Sequence, residues 1–136
     1  MTSYQYISSK NSDIPPAPIV DIQITSLNKA NPKTVTSNAF LDTGSDCTLI
    51  PLNILSKIEA KLASGLANIQ VLGVGGRTVT VYPYYVKILI AQKSIPLVKV
   101  YGCSPQNTNE IIILGRDIIN RLRIQFDGPK QTLTFY

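Results

Sequence analysis

The sequence predicts an all-β domain with one or two short helices, its strands closing into a barrel or packing as a sandwich. Two observations carry this. Short runs of β-branched and aromatic residues with period-two alternation recur along most of the chain. Turn residues separate them, and only two stretches, one opening at Pro51 and one following Gly115, carry apolar residues at helical spacing. At 136 residues the chain is one domain by size and long enough for a single modest core.

Taken in order, residues 1–14 are polar and read as a flexible N-terminal extension, ahead of a domain spanning 15–136. Pro15-Pro16-Ala17-Pro18 is a stiff lead-in. "IVDIQIT" alternates as a half-buried strand, Asn31-Pro32 marks a turn, and "TVTSNAFLD" returns as a second strand. "PLNILSKIEAKLA" starts on proline and spaces Ile54, Leu55, Ile58 and Leu62 as one face of a short helix. Beyond it, "VLGVGGRTVTVYP" places Gly73, Gly75 and Gly76 between two strand-like runs. A phosphate-cradling loop would need a helix directly after the glycines, so a mobile hairpin tip fits better. "RTVTVYPYYVKILIA" and "SIPLVKVYG" are further strands, and Asp127-Gly128 in "LRIQFDGPKQTLTFY" signals a C-terminal hairpin.

Composition removes several chemistries. There is no histidine, and the two cysteines, Cys47 and Cys103, form neither a disulfide framework nor a Cys-x-x-Cys pair, so no metal site and no cofactor is expected. Ser-His and Cys-His nucleophiles fall with the histidines. The net charge of +5 comes from Lys and Arg scattered between Lys10 and Lys130, which reads as a solvated surface and not as a nucleic-acid footprint. No run approaches the roughly 20 apolar residues of a membrane span, and the N-terminus lacks a signal-peptide core. A soluble, cytoplasmic protein is expected, with no membrane partner.

The remaining chemistry falls to carboxylates or lysines. In "AFLDTGSDCTLIP", Asp42 follows an apolar strand, Gly44 permits a tight loop whose N–H groups turn toward that carboxylate, and Thr43 and Ser45 add hydroxyl donors. For Asp-Thr-Gly alone, an Asx-type turn with a solvated aspartate is the better account. Later, "EIIILGRDIINRLRI" sets Gly115, Arg116 and Asp117 ahead of a helical pattern, where Asp117 is also readable as a plain N-cap.

Leu-Asp-Thr-Gly-Ser, the glycine-rich hairpin and Ile-Leu-Gly-Arg-Asp, in that order, resemble the retropepsins, the single-domain aspartic proteases of retroviruses, retrotransposons and some bacteria. The resemblance runs from about Pro18 to Ile124. It implies a closed, barrel-like acid-protease fold in which Asp42 is the catalytic carboxylate, Thr43 braces the loops across a dimer axis and Gly44 shapes the loop. It also implies that Ser45 hydrogen-bonds the aspartate from outside, that Asp46 and Arg116 form an ion pair tying the loop to the C-terminal helix, and that Gly73, Val74, Gly75 and Gly76 form the flap. Two features depart from the viral pattern: the long N-terminal extension and the extra C-terminal hairpin.

Peptide hydrolysis of this kind needs two carboxylates sharing a proton, and the chain has one Asp-Thr-Gly. The second is most simply Asp42 of another copy, in a homodimer acting on a peptide or polyprotein, with a virus-like or transposon particle as a further possible location. A catalytically silent relative, serving dimerisation or peptide binding, is the alternative.

Overall fold

The computed structural model describes residues 1–136. Strand β1 (Thr2–Gln5) opens the chain, followed by β2 (Ile19–Thr25), β3 (Thr34–Leu41) and the short β4 (Leu49–Pro51). Helix α1 (Leu52–Lys57) leads to β5 (Ile69–Leu72), and then to the two long strands β6 (Thr78–Ile90) and β7 (Lys93–Cys103). Last come β8 (Ile112–Leu114), the single-turn helix α2 (Arg116–Ile119), β9 (Ile124–Asp127) and β10 (Thr132–Phe135).

The expected closed barrel is present. Strands pair in the order β2-β3-β8-β4-β7-β6, and β6 then pairs with β2, so the ring has no free edge. Closure depends on the length of β6. Its C-terminal half meets β2 in the register Ile22↔Ile90, while its N-terminal half pairs with β5 to form a hairpin outside the ring. The alternation read in "IVDIQIT" is the cause of its orientation: Val20, Ile22 and Ile24 are buried, and Asp21 and Gln23 face out.

The core is aliphatic. Ile22, Ile24, Ile50, Ile88, Ile112, Leu114 and Ile118 have almost no exposed surface. Helix α1 contributes Ile54 and Leu55, with Ile58 just past its end. It is shorter than its apolar spacing implied. Glu59 takes φ 54°, which stops the helix, and Leu62 is left 58 % exposed and outside the core. Where α1 crosses the sheet, a Cβ on Gly102 would stand 2.6 Å from Leu52 and 2.8 Å from Tyr84, so the close approach requires glycine. No helix is long and apolar enough to cross a membrane.

The expected flexible extension over residues 1–14 is overturned at its start. Thr2–Gln5 pair antiparallel with β10, Tyr6 N–H donates to the Gln131 carbonyl, and Ile7 bridges to Ala17. The cause is visible in "SYQY": Tyr4 and Tyr6 lie two apart, fall on one face, and pack against the core. The Tyr4 ring meets Phe135 edge-on at 5.9 Å between centroids. The C-terminal hairpin forms as its Asp-Gly turn signalled, with Asp127 opposite Thr132, and the terminal sheet runs β1-β10-β9.

Replacing Tyr4 therefore has a structural cost that a free tail would not show. Tyr4→Ala should lower stability by about 1–3 kcal/mol, from lost apolar burial and the aromatic pair. A urea titration checks it, and an unchanged midpoint would return residues 1–14 to the status of a tail.

Candidate active site

The loop between β3 and β4 runs from Asp42 to Thr48 and is fixed at both ends. On the β3 side, Asp42 N–H donates to the Leu114 carbonyl at 3.0 Å, continuing the parallel ladder between β3 and β8. The chain then turns back, with Ser45 N–H donating to the Asp42 carbonyl at 3.2 Å. Within that turn Gly44 N–H donates to Asp42 Oδ1 at 2.9 Å, and a Cβ on Gly44 would stand 3.1 Å from the same oxygen. A side chain at Gly44 would thus crowd the carboxylate that its N–H binds. Asp42 is half-buried, while Thr43 and Gly44 face solvent.

Ser45 does not hydrogen-bond the aspartate as expected. Its hydroxyl donates to the Cys47 carbonyl at 2.8 Å, bracing the far limb of the loop. Asp46 and Arg116 do pair, and Arg116 Nη1 also donates to the Thr43 carbonyl at 2.8 Å. The pair is open to solvent: Asp46 is 87 % and Arg116 42 % exposed, so water screens most of the attraction.

The tightest anchor is one that sequence reasoning missed. Thr48 has no exposed surface, and its backbone N–H and hydroxyl both donate to Asp117, at 3.0 Å to Oδ2 and 2.7 Å to Oδ1. The same hydroxyl oxygen accepts Gly115 N–H at 3.1 Å, and the Thr48 carbonyl accepts Tyr101 N–H at 3.0 Å. Every polar group of Thr48 is satisfied by another element. Asp117 is accordingly no N-cap. That position belongs to Gly115, and Asp117 sits in the first turn of α2, clasped to the loop. A hydroxyl residue directly before the apolar run Leu49-Ile50 was the available signal. Gly115 adds a steric requirement, because a Cβ there would lie 2.5 Å from the Cys47 carbonyl oxygen.

Cys47 is half-buried beside the loop. Burial, reinforced by Asp117 and Asp46, pushes its thiol up to about 11, so it stays protonated and behaves as a small apolar group.

The glycine hairpin forms as read. Leu72 pairs with Thr78, Gly73 N–H donates to the Arg77 carbonyl, and Gly75 and Gly76 take φ of 81° and 75°. Val74 at the tip is fully exposed. Strand β5 and loop residues 44–47, with Lys99, Tyr101 and Asp117, line a cavity of about 520 Å³. The structure thus brings Gly44, Ser45 and Asp46 to one cleft with the hairpin strand, and the tip residues 73–76 stand beyond its lining.

The geometry predicts which contact matters for folding. Thr48→Val removes a hydrogen bond to a charged group and strands the Gly115 N–H, and should cost about 2–4 kcal/mol. Arg116→Ala, at an exposed pair, should cost about 1 kcal/mol or less. Denaturant midpoints of the two variants decide it, and the opposite ranking would make the ion pair the anchor.

Three comparisons bear on this arrangement. The family described as retroviral aspartyl protease matches residues 15–127. Among solved structures, a retropepsin-like aspartic protease from Rickettsia conorii is similar with a TM-score of 0.60 at 17 % identity, over 98 % of each chain. EIAV protease complexed with the inhibitor HBY-793 gives 0.56 at 20 %, over 85 % of this chain and 93 % of that one. The retroviral protease-like domain of Ddi1 from Leishmania major gives 0.53 at 15 %, over 86 % and 87 %. At such identities the likeness is one of fold. Comparison with curated proteins finds no match.

Proposed function

Because the chain belongs to the retroviral aspartyl protease family, we propose that it is an aspartic endopeptidase whose site is completed by a second copy of itself. The observation that carries this is the disposition of three carboxylates. Asp46 is taken up by Arg116 and both oxygens of Asp117 by Thr48, which leaves Asp42 alone on the loop with only the Gly44 N–H bound to one oxygen. One free carboxylate does not complete an acid–base pair. A two-fold axis beside the exposed Thr43 and Gly44 would bring the partner's Asp42 against this one, and like charges at that distance share a proton.

The ionised aspartate then takes a proton from water as the water attacks the scissile carbonyl, and the protonated one hydrogen-bonds the carbonyl oxygen. On collapse of the tetrahedral intermediate the C–N bond breaks, and the aspartate that took the water's proton passes it to the leaving amine. Gly44 N–H holds Asp42 Oδ1 in place throughout. Thr43 lies at the proposed axis, where it would brace the two loops. An extended peptide or polyprotein segment fits the cleft by adding a strand alongside the hairpin, with main-chain hydrogen bonds giving affinity and side-chain pockets giving preference. Gly73, Val74, Gly75 and Gly76 serve as the flap that covers the peptide and excludes water.

Mixing tests the shared site. With Asp42→Asn protein added in equal amount and subunits exchanging at random, about a quarter of the doubled number of dimers keep both aspartates, so total peptidase activity should fall to about half. Activity that withstands a large excess of exchanged mutant would place the whole site on one chain.

The flap has its own signature. A Cβ at Gly75 or Gly76 meets nothing within 4 Å, so Gly75→Val and Gly76→Val should leave the fold intact. Both positions hold positive φ, which a β-branched residue resists, so the turn should distort and kcat/KM fall about tenfold or more. Wild-type kinetics in both variants would make the hairpin a passive turn.

A further inference from the structure

The cleft beside the catalytic loop contains one cation with no acidic partner. Registers that set Ile69 opposite Val81 and Val71 opposite Val79 put these apolar residues on one face of the hairpin sheet. On β7, Lys99 and Tyr101 lie two apart on a common face, and Tyr101 packs in a small cluster with Val81 and Cys103 against which Val71 rests. Tyr101 is 8 % exposed, and Lys99 Nζ stands 5.5 Å from its ring centroid. The phenol ring therefore floors the cavity and the ammonium stands over it.

The other charged groups lining this cavity are already engaged. Asp46 is ion-paired with Arg116 at the exposed rim, and Asp117 has both oxygens bound by Thr48. Lys99 forms no salt bridge; the three that exist join Lys33 to Glu59, Arg116 to Asp46 and Lys130 to Asp127. A group entering the cavity thus meets the apolar hairpin face and an ammonium that no carboxylate reaches within salt-bridge distance. A glutamate side chain matches both, its methylenes lying on Tyr101 and its carboxylate reaching Lys99. A lysine or arginine would bring like charge against Lys99.

We propose that Lys99 makes this cavity a subsite for an acidic side chain, glutamate above all, of an extended peptide; the inference rests on reading the cleft as a peptide site. Lys99 is a specificity determinant here and takes no part in bond cleavage.

Binding tests this independently of catalysis. Asp42→Asn protein is titrated by fluorescence anisotropy with positional octapeptide pools, each fixing one position as Glu, Gln or Lys and randomising the rest. At one position, the Glu pool should bind about tenfold tighter than the Lys pool, with Gln between, and the difference should shrink as salt is raised. Adding Lys99→Glu should reverse the ranking, and Lys99→Met should flatten it. Equal binding of Glu and Lys pools at every position, or a preference unchanged by Lys99→Glu, overturns the proposal. Wild-type cleavage of the same pools separates the two readings. Cleavage without a glutamate preference removes the subsite and leaves the peptidase, whereas glutamate-selective binding with no cleavage keeps the subsite and removes the peptidase.

Discussion

One buried threonine holds the site together. Thr48 sits where four elements meet, and its three polar groups tie the loop to α2, to the turn after β8 and to β7. Because Thr48 itself is sealed from solvent, any partner it loses leaves one of its polar groups unsatisfied. The position of Asp42 is thus governed by a residue six places away that is sealed from solvent. The exposed Asp46–Arg116 pair, which looks more prominent, lies outside this network and contributes geometry at the rim.

Topology explains why such a knot is needed. The loop leaves β3 on one side of β8 and re-enters the sheet as β4 on the other. It must therefore cross the C-terminal end of β8, where Gly115 begins the turn into α2. The crossing is tight, because the Gly115 Cα lies against the Cys47 backbone with no room for a side chain. Carboxylate, crossing and clasp are three consequences of one chain path. The hairpin belongs to the same construction, since β6 is both its second strand and a wall of the barrel.

Much of this was legible in the sequence, for identifiable reasons. Period-two alternation exposed β2 and β3, the Asp-Gly turn exposed the C-terminal hairpin, and the glycine spacing exposed the hairpin tip, because each signal is local. Thr48 was missed because its role exists only through partners far along the chain, Asp117 and Gly115. Ser45 was misread for a related reason: a hydroxyl next to an aspartate has several acceptors in reach, and loop geometry chose the Cys47 carbonyl. Residues 1–14 look polar on average, yet two tyrosines at strand spacing are enough to seat β1 on the core. Leu62 shows the converse error, where an apolar residue in register with a helix is stranded once Glu59 ends that helix.

The terminal sheet also sets an order of events. Ser3 and Thr134 share a hydrogen bond across 131 residues of chain, so β1 gains its neighbour only when β10 is in place. Contacts this distant in sequence slow folding, because loop-closure entropy opposes them until the intervening chain is compact. The barrel, whose β6–β7 and β2–β3 hairpins are local, is positioned to form first, with the β1–β10 seam closing over it. During synthesis β1 is made before the other strands of the fold and pairs only once β10 has followed. Until then Phe135 lacks its edge-on tyrosine, and the early chain carries an exposed strand edge open to wrong partners.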